Sequence, residues 1–156
     1  MTDEGQRADA IAAVLGLEPL PLEGGLWTQS WRDEHTSAIY FMLRPGDFSA
    51  MHRLRATELW HHYAGAPVHL LLLDPDGQVR RPRLGADVGA GERPFQPVPA
   101  GVWMGASTAG AWSLVGTTMS PPFSWDHFEL GDRAELAARY PAAADEIERL
   151  TRAAGT

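Results

Sequence analysis

The chain contains no cysteine, and other absences narrow further what it can be. Without thiols it can form no disulfide and use no thiol nucleophile, which favours a reducing compartment and predicts a cytoplasmic location. No apolar run approaches the roughly 18 residues of a membrane-spanning helix. The polar, acidic start from Met1 to Arg7 does not resemble a signal peptide either. We therefore expect no membrane partner.

Positive charge is scarce as well. The sequence has 13 Lys and Arg residues against 20 Asp and Glu, a formal net charge of -7 and a pI near 5.3. Such a surface disfavours nucleic acid or an anionic membrane as the main partner. The glycine-rich stretch 85–91 lacks the following lysine and the strand-to-helix setting of a phosphate-binding loop. A small-molecule substrate is the partner that we expect.

Turn-forming residues are abundant, with 16 Gly and 12 Pro among 156 residues, and this favours an all-β fold. The length suits one domain spanning 1–156. Apolar residues at helical spacing (Ala8, Ile11, Ala12, Leu15) predict a helix on the outside of a sheet. About eight or nine short strands indicate a jelly-roll sandwich or barrel. The predicted segments are a helix over 2–16, strands over 26–31, 36–43, 58–63, 68–73, 111–118 and 123–130, and tail helices over 133–140 and 142–152.

Most of the candidate catalytic residues lie in one stretch, residues 46–65. His52 follows Gly46 by six residues, Leu54 comes two later, Glu58 four after that and Gly65 seven further on. Residues two apart on a strand face the same way, so His52 and position 54 face one interior, and Glu58 returns on the next strand. The spacing resembles the first cupin motif, G-x5-H-x-H-x3,4-E-x6-G, with Leu54 in place of its second histidine.

The resemblance extends to other segments, from about residue 17 to 141 and in the same order. They include Glu23-Gly-Gly25, Pro45 to Arg53, Glu58 to Gly65, Pro99 to Trp103 and Phe128 to Leu130. The chain resembles the cupin-5 group of the cupin superfamily, related in fold to dTDP-sugar 3,5-epimerases. The resemblance implies a double-stranded β-helix (cupin jelly-roll barrel) with a core at about 17–131, flanked by an N-terminal helix and a C-terminal helical segment. It also implies a homodimer with a pocket at one end of the barrel.

Several positions depart from the cupin pattern. The second cupin motif ends in a histidine metal ligand, but Pro99-Ala-Gly101 leads here to Met104. Gln29 stands where the group often has a glutamate, and His62 where it has an aromatic residue. His69 is an additional imidazole on the next strand. These exchanges alter the donor set that a metal would use.

The interpretation that we favour is a metal-independent enzyme performing acid/base chemistry on a small organic molecule, such as epimerisation, isomerisation or cyclisation. His52, with His62, would transfer protons, and Glu58 would orient the imidazole and raise its pKa. Alternation places Trp27, Gln29 and Trp31 on one strand face. No cofactor is expected. The expected substrate contacts are Gln29, Trp31, Trp60, His69, Trp103 and Met104.

Two other functions remain open. A metal-dependent cupin oxygenase or isomerase would use His52, Glu58 and His62 as ligands of a divalent metal. A non-catalytic binding module would only hold a ligand in the same pocket. The simplest alternative for His52 and Glu58 is a buried polar pair retained for packing. For the six tryptophans it is the core or a dimer interface.

Overall fold

The computed structural model describes residues 3–153. The first described element is helix α1, Asp3–Leu15, and the residue 2 start predicted for this helix lies outside the described residues. Two further helices, α2 (Arg133–Arg139) and α3 (Ala144–Arg149), follow the strands. The described strands are β1 (Glu18–Pro19), β2 (Leu26–Arg32), β3 (Ser37–Leu43), β4 (Ser49–Arg53), β5 (Glu58–Gly65), β6 (Val68–Leu73), β7 (Val79–Arg80), β8 (Arg83–Leu84), β9 (Phe95–Val98), β10 (Trp103–Thr108), β11 (Ser113–Met119) and β12 (Glu129–Leu130).

The strands form two sheets of antiparallel pairs. The first has the order β1-β2-β3-β11-β5-β9, and the second has the order β12-β4-β10-β6-β7, with β8 also paired to β6. Strands adjacent in a sheet are mostly distant in sequence, as in a jelly roll. The central core lies between the two sheets. The predicted jelly-roll barrel with flanking helices is confirmed.

Alternation along the strands divides the apolar residues between two layers. In β6, Leu70 and Leu72 belong to the core between the sheets, whereas Leu71 and Leu73 pack against Tyr140 and the tail helices. On the other side of the barrel, α1 covers the first sheet, where Trp112 donates a hydrogen bond from its indole Nε1 to Glu4 at 2.7 Å. The outside position predicted for this helix is therefore correct. No helix among residues 3–153 is long and apolar enough to cross a membrane.

Substitution of Leu72 tests how much the central core contributes to stability. Its side chain is 0% exposed, so Leu72→Ala leaves a cavity between the sheets. We expect a loss of about 3 kcal/mol in the free energy of unfolding, measured by urea titration. Val14→Ala, at an 85% exposed position of α1, is the control and should change it by less than about 0.5 kcal/mol. Equal effects of the two substitutions would contradict this account of the core.

The tail of the barrel differs from the sequence-based expectation. The predicted strand over 123–130 is mostly an irregular segment with a single 3-10 turn at Trp125–His127, and only Glu129–Leu130 pairs as a strand. The Ser124 hydroxyl accepts a hydrogen bond from the Asp126 amide, a local bond that favours a turn over an extended strand. Asp132 caps α2 as predicted, while α3 ends at Arg149 rather than near 152.

Candidate active site

A cavity of about 360 Å³ lies against the inner face of the first sheet. Strands β2, β3, β5 and β11 form its base, and the segment 123–125 forms one side. Its lining is mainly apolar, with two carboxyl groups, one guanidinium and a few hydroxyl and amide groups. The residues that bear on its chemistry are Glu23, Trp27, Gln29, Arg32, Glu58, Thr117, Phe123, Ser124 and Trp125.

Glu58 reaches this cavity from the first position of β5. It is 7% exposed, and its Oε1 accepts a hydrogen bond from the indole Nε1 of Trp60 at 3.1 Å. Burial raises the pKa of the Glu58 carboxyl to about 7, with a further rise from the negative charge of Glu23. His52 and the hydrogen bonds of Thr117 and Trp60 oppose this rise. A carboxyl with such a pKa can both accept and donate a proton near neutrality.

Glu23 is the second carboxyl of the cavity, a site residue that was not predicted from the sequence. Its Oε2 accepts a hydrogen bond from the Ser49 hydroxyl at 2.8 Å. Burial raises the pKa of Glu23 to about 7, against the lowering effect of that hydrogen bond. The turn that carries Glu23 continues with Gly24 at φ +102° and Gly25 at φ +76°, which favour glycine. In the sequence, the available signal for this site residue was a glutamate directly before two glycines.

His52 lies behind the two carboxyls rather than on the cavity surface. It is 1% exposed, its ring stacks on Phe128 at 5.1 Å between centroids, and its Nε2 is 3.6 Å from Glu23 Oε1. Burial lowers the pKa of the imidazole, while the charge of Glu58 opposes this effect. The expectation that Glu58 raises the pKa of His52 therefore has the right sign for that interaction but the wrong net result, because desolvation outweighs it.

The tautomer of His52 follows from its other hydrogen bond. Nδ1 is 2.7 Å from the carbonyl oxygen of Ala50. A carbonyl can only accept, so Nδ1 carries the hydrogen and Nε2 presents a lone pair. That lone pair faces Glu23 and would be repelled by an ionised carboxylate. The lone pair therefore favours the protonated form of Glu23.

Trp31 does not line the cavity, contrary to the prediction. The register of β2 against β3 shifts between Gln29 and Trp31, so that Ser30 is an additional residue in a β-bulge. A bulge reverses the alternation beyond it. Trp27 and Gln29 therefore line the cavity, whereas the Trp31 side chain is 59% exposed on the other side.

Trp103 and His69 are also outside the barrel, so both are corrections to the predicted substrate contacts. Met104 lies opposite His52 in the register of β10 and β4 and packs in the central core. Its neighbour Trp103 consequently faces outward, where the guanidinium of Arg53 lies 4.5 Å from the ring centroid. His69 faces outward from β6, toward the tail helices, in a different cavity.

The other predicted contacts lie inside the barrel in different positions. Gln29 is exposed at the mouth of the cavity. Trp60 is 1% exposed, packs edge to face on Phe41 at 6.2 Å and orients Glu58. Trp60 and Met104 thus belong to the central core beneath the site and do not line the cavity.

The alternative metal site does not assemble. His62 is four residues beyond Glu58 on β5, a distance of about 13 Å along a strand, and its Nε2 contacts the carbonyl oxygen of Ala66 at 3.2 Å. Leu54 and Met104 place a hydrocarbon and a thioether at the other two ligand positions. Among residues 3–153, no group of three or more His, Asp or Glu side chains is placed to hold a metal ion. The donor set therefore does not fit the metal of the alternative.

Comparison with known proteins identifies the family of this chain. Residues 9–131 match the family model Cupin_5, described as cupin superfamily (DUF985). An X-ray structure of a protein from Shewanella oneidensis is 38% identical, with a TM-score of 0.87 and coverage of 93% of this chain and 97% of that one. A hypothetical protein from Leishmania major is 29% identical, with a TM-score of 0.86 over 94% of this chain and 99% of that one.

A more distant structure shares the fold alone. A dTDP sugar isomerase from Desulfovibrio desulfuricans is 19% identical, with a TM-score of 0.54 over 74% of this chain and 80% of that one. No curated protein matches the sequence. The family model covers most of the chain. The chain belongs to the Cupin_5 family of the cupin superfamily.

Proposed function

We propose that this cupin is a small-molecule enzyme of the isomerase or epimerase type, which moves protons with two carboxyl groups and without a metal. The observation that carries the proposal is that Glu23 and Glu58 line one cavity, both largely removed from water. Two like charges in such a site disfavour double ionisation, so the pair shares one negative charge near neutral pH. One group is then an acid and the other a base.

The groups around each carboxyl indicate which one is the acid and which one is the base. The indole N–H of Trp60 and the hydroxyl of Thr117 hydrogen-bond Glu58, and these bonds favour its carboxylate form. The lone pair of His52 Nε2 faces Glu23 and favours its protonated form. Glu23 accepts one such hydrogen bond, from the Ser49 hydroxyl, whereas Glu58 accepts two, so we assign the base to Glu58 and the acid to Glu23. His52 positions Glu23 from behind, with its Nε2 3.6 Å from Glu23 Oε1, rather than contacting the substrate as the sequence suggested.

The reaction that this pair supports is proton transfer beside a carbonyl. The Glu58 carboxylate removes a proton from the carbon next to the carbonyl, and the C–H electron pair moves into an enolate. The protonated Glu23 then donates its proton to carbon as the carbonyl re-forms, which leaves Glu58 protonated and Glu23 ionised. Passage of a proton from Glu58 to Glu23 by way of solvent restores the resting pair. No electron is gained or lost overall, so the step needs no redox partner. The surrounding tryptophan and phenylalanine side chains exclude water and strengthen these interactions.

Deuterium uptake tests the proposal while the substrate is still unidentified. The protein is incubated with fractionated small-molecule extract in D2O, and mass spectrometry follows deuterium incorporation at carbon. We expect at least one compound to exchange faster with the wild type than with the Glu23→Gln/Glu58→Gln double variant. If no compound exchanges faster with the wild type, the catalytic proposal is wrong, and the non-catalytic binding module takes its place.

A further inference from the structure

Arg32 brings a positive charge to the mouth of the barrel cavity. It is the last residue of β2 and lines the cavity from an exposed position. Its Nη1 donates to the carbonyl oxygen of Phe123 at 3.0 Å, which leaves the other guanidinium hydrogens available. Among residues 3–153, no acidic side chain forms an ion pair with Arg32, whereas five of the other arginines are paired in this way.

Aromatic side chains line the same cavity as this cation and the carboxyls. Trp27 extends from the same strand as Arg32, and Phe123 and Trp125 extend from the opposite side of the cavity. Phe123 and Trp125 pack edge to face at 5.0 Å between centroids, and Trp125 is 46% exposed. A planar apolar group between these side chains would remove exposed aromatic surface from water.

The two ends of the cavity therefore differ in the group that they accept. The inner end holds Glu23 and Glu58, and their shared negative charge disfavours any anion in contact with them. The same carboxyls suit a hydroxyl or carbonyl group, which can donate or accept a hydrogen bond. The mouth holds Arg32, whose fork of N–H donors matches the paired oxygens of a carboxylate or phosphate. Only one orientation of an elongated anion satisfies both ends.

We propose that the ligand is a small organic oxyanion with a planar apolar body, held with its carboxylate or phosphate on Arg32 and its neutral oxygen group toward Glu23 and Glu58. This deepens the proposed function, because it assumes that the same cavity binds the substrate. It names the substrate class and makes Arg32 a specificity-determining residue. The chain then acts on molecules with the acidic group at the end remote from the reacting carbon.

Three probes test the orientation by equilibrium binding, followed through tryptophan fluorescence and calorimetry. They are 4-hydroxyphenylacetate, its neutral amide 4-hydroxyphenylacetamide, and phenyl phosphate. We expect the wild type to bind the carboxylate roughly fivefold more tightly than the amide, since a charge-assisted hydrogen bond is stronger than a neutral one. Arg32→Gln should bring that ratio close to 1. The phosphate probe shows which of the two oxyanions Arg32 prefers.

Arg55→Gln is the matched control, because Arg55 is exposed and lines a different cavity. It should leave the carboxylate-to-amide ratio as in the wild type, and Arg32→Lys should retain part of the preference. If Arg32 only braces Phe123, Arg32→Gln weakens both ligands equally and the ratio persists, which overturns the proposal. Failure of both oxyanions to bind at millimolar concentration overturns it as well. Because binding needs no turnover, an anion preference without deuterium exchange would refute the catalytic function alone.

Discussion

Glu58→Gln should lower the rate of deuterium exchange at least about 100-fold, because an amide cannot accept the proton that the reaction removes from carbon. The substitution retains the shape of the side chain and an oxygen that can still accept the Trp60 indole hydrogen bond. Binding of the substrate should therefore change little. The measurement is the initial exchange rate of the compound identified in D2O, with its KM determined for both proteins.

Glu92→Gln is the matched control for this substitution. Glu92 is 8% exposed, close to the 7% of Glu58, but its carboxyl hydrogen-bonds the Asp87 amide outside the barrel cavity. We expect exchange to persist in this variant. If Glu58→Gln exchanges at the wild-type rate, or if Glu92→Gln loses as much activity as Glu58→Gln, Glu58 is not the base.

The pair of carboxyls, Glu23 and Glu58, predicts how the exchange rate depends on pH. Activity needs Glu58 ionised and Glu23 protonated, and the pKa of each carboxyl is about 7. A rate that requires one base and one acid gives a bell-shaped profile, so its maximum should lie near pH 7. His52→Gln alters the environment of Glu23 without removing either carboxyl, and it should move one limb of the profile. A flat profile between pH 5 and pH 9 would contradict the acid/base assignment.

The second large effect is the dependence of stability on pH. An unfolded glutamate has a pKa of 4.5, whereas folding raises the pKa of Glu58 to about 7. Between these values the folded state holds a proton that the unfolded state has released. The contribution is therefore fully present below pH 4.5 and is lost as the pH rises through about 7. For one such group the loss is on the order of 3 kcal/mol.

His52 acts in the opposite direction over part of this range. Burial lowers the pKa of its imidazole from 6.5, so its contribution is present above pH 6.5 and is lost as the pH falls toward the folded value. The pH dependence of wild-type stability combines the contributions of Glu58, His52 and Glu23, whose pKa is also raised to about 7. Comparison of variants isolates the contribution of Glu58, because Glu58→Gln leaves Glu23 and His52 in place.

We therefore expect Glu58→Gln to gain stability relative to the wild type as the pH is raised from about 4.5 to about 8, by up to roughly 3 kcal/mol. Urea unfolding at a series of pH values measures the difference. Leu72→Ala removes no titratable group and should displace the whole curve by a constant amount. A constant difference between Glu58→Gln and the wild type across that range would show that the folded carboxyl titrates normally.

Local pattern was enough to predict the barrel and part of its interior. The order of the segments from Glu23-Gly-Gly25 to Phe128-Glu-Leu130 indicated the cupin jelly roll, which the family model and the sheets confirm. The spacing of His52 and Glu58 placed both in the interior, where the structure has them. The resemblance to the family indicated the fold, whereas the inward position of His52 and Glu58 follows from strand alternation, which neighbouring positions in the chain determine.

The composition of the site was decided by tertiary structure. A bulge at Ser30 turned Trp31 outward, and the contact of Glu23 with Ser49 joins residues 26 positions apart. The irregular segment around Phe123 closed the cavity where a regular strand was predicted. Sequence by itself determined which residues a strand can turn inward. Only the packing of distant segments decided which inward-facing residues meet in the cavity. The reason is that the burial of a side chain and the charges around it depend on residues far away in the sequence.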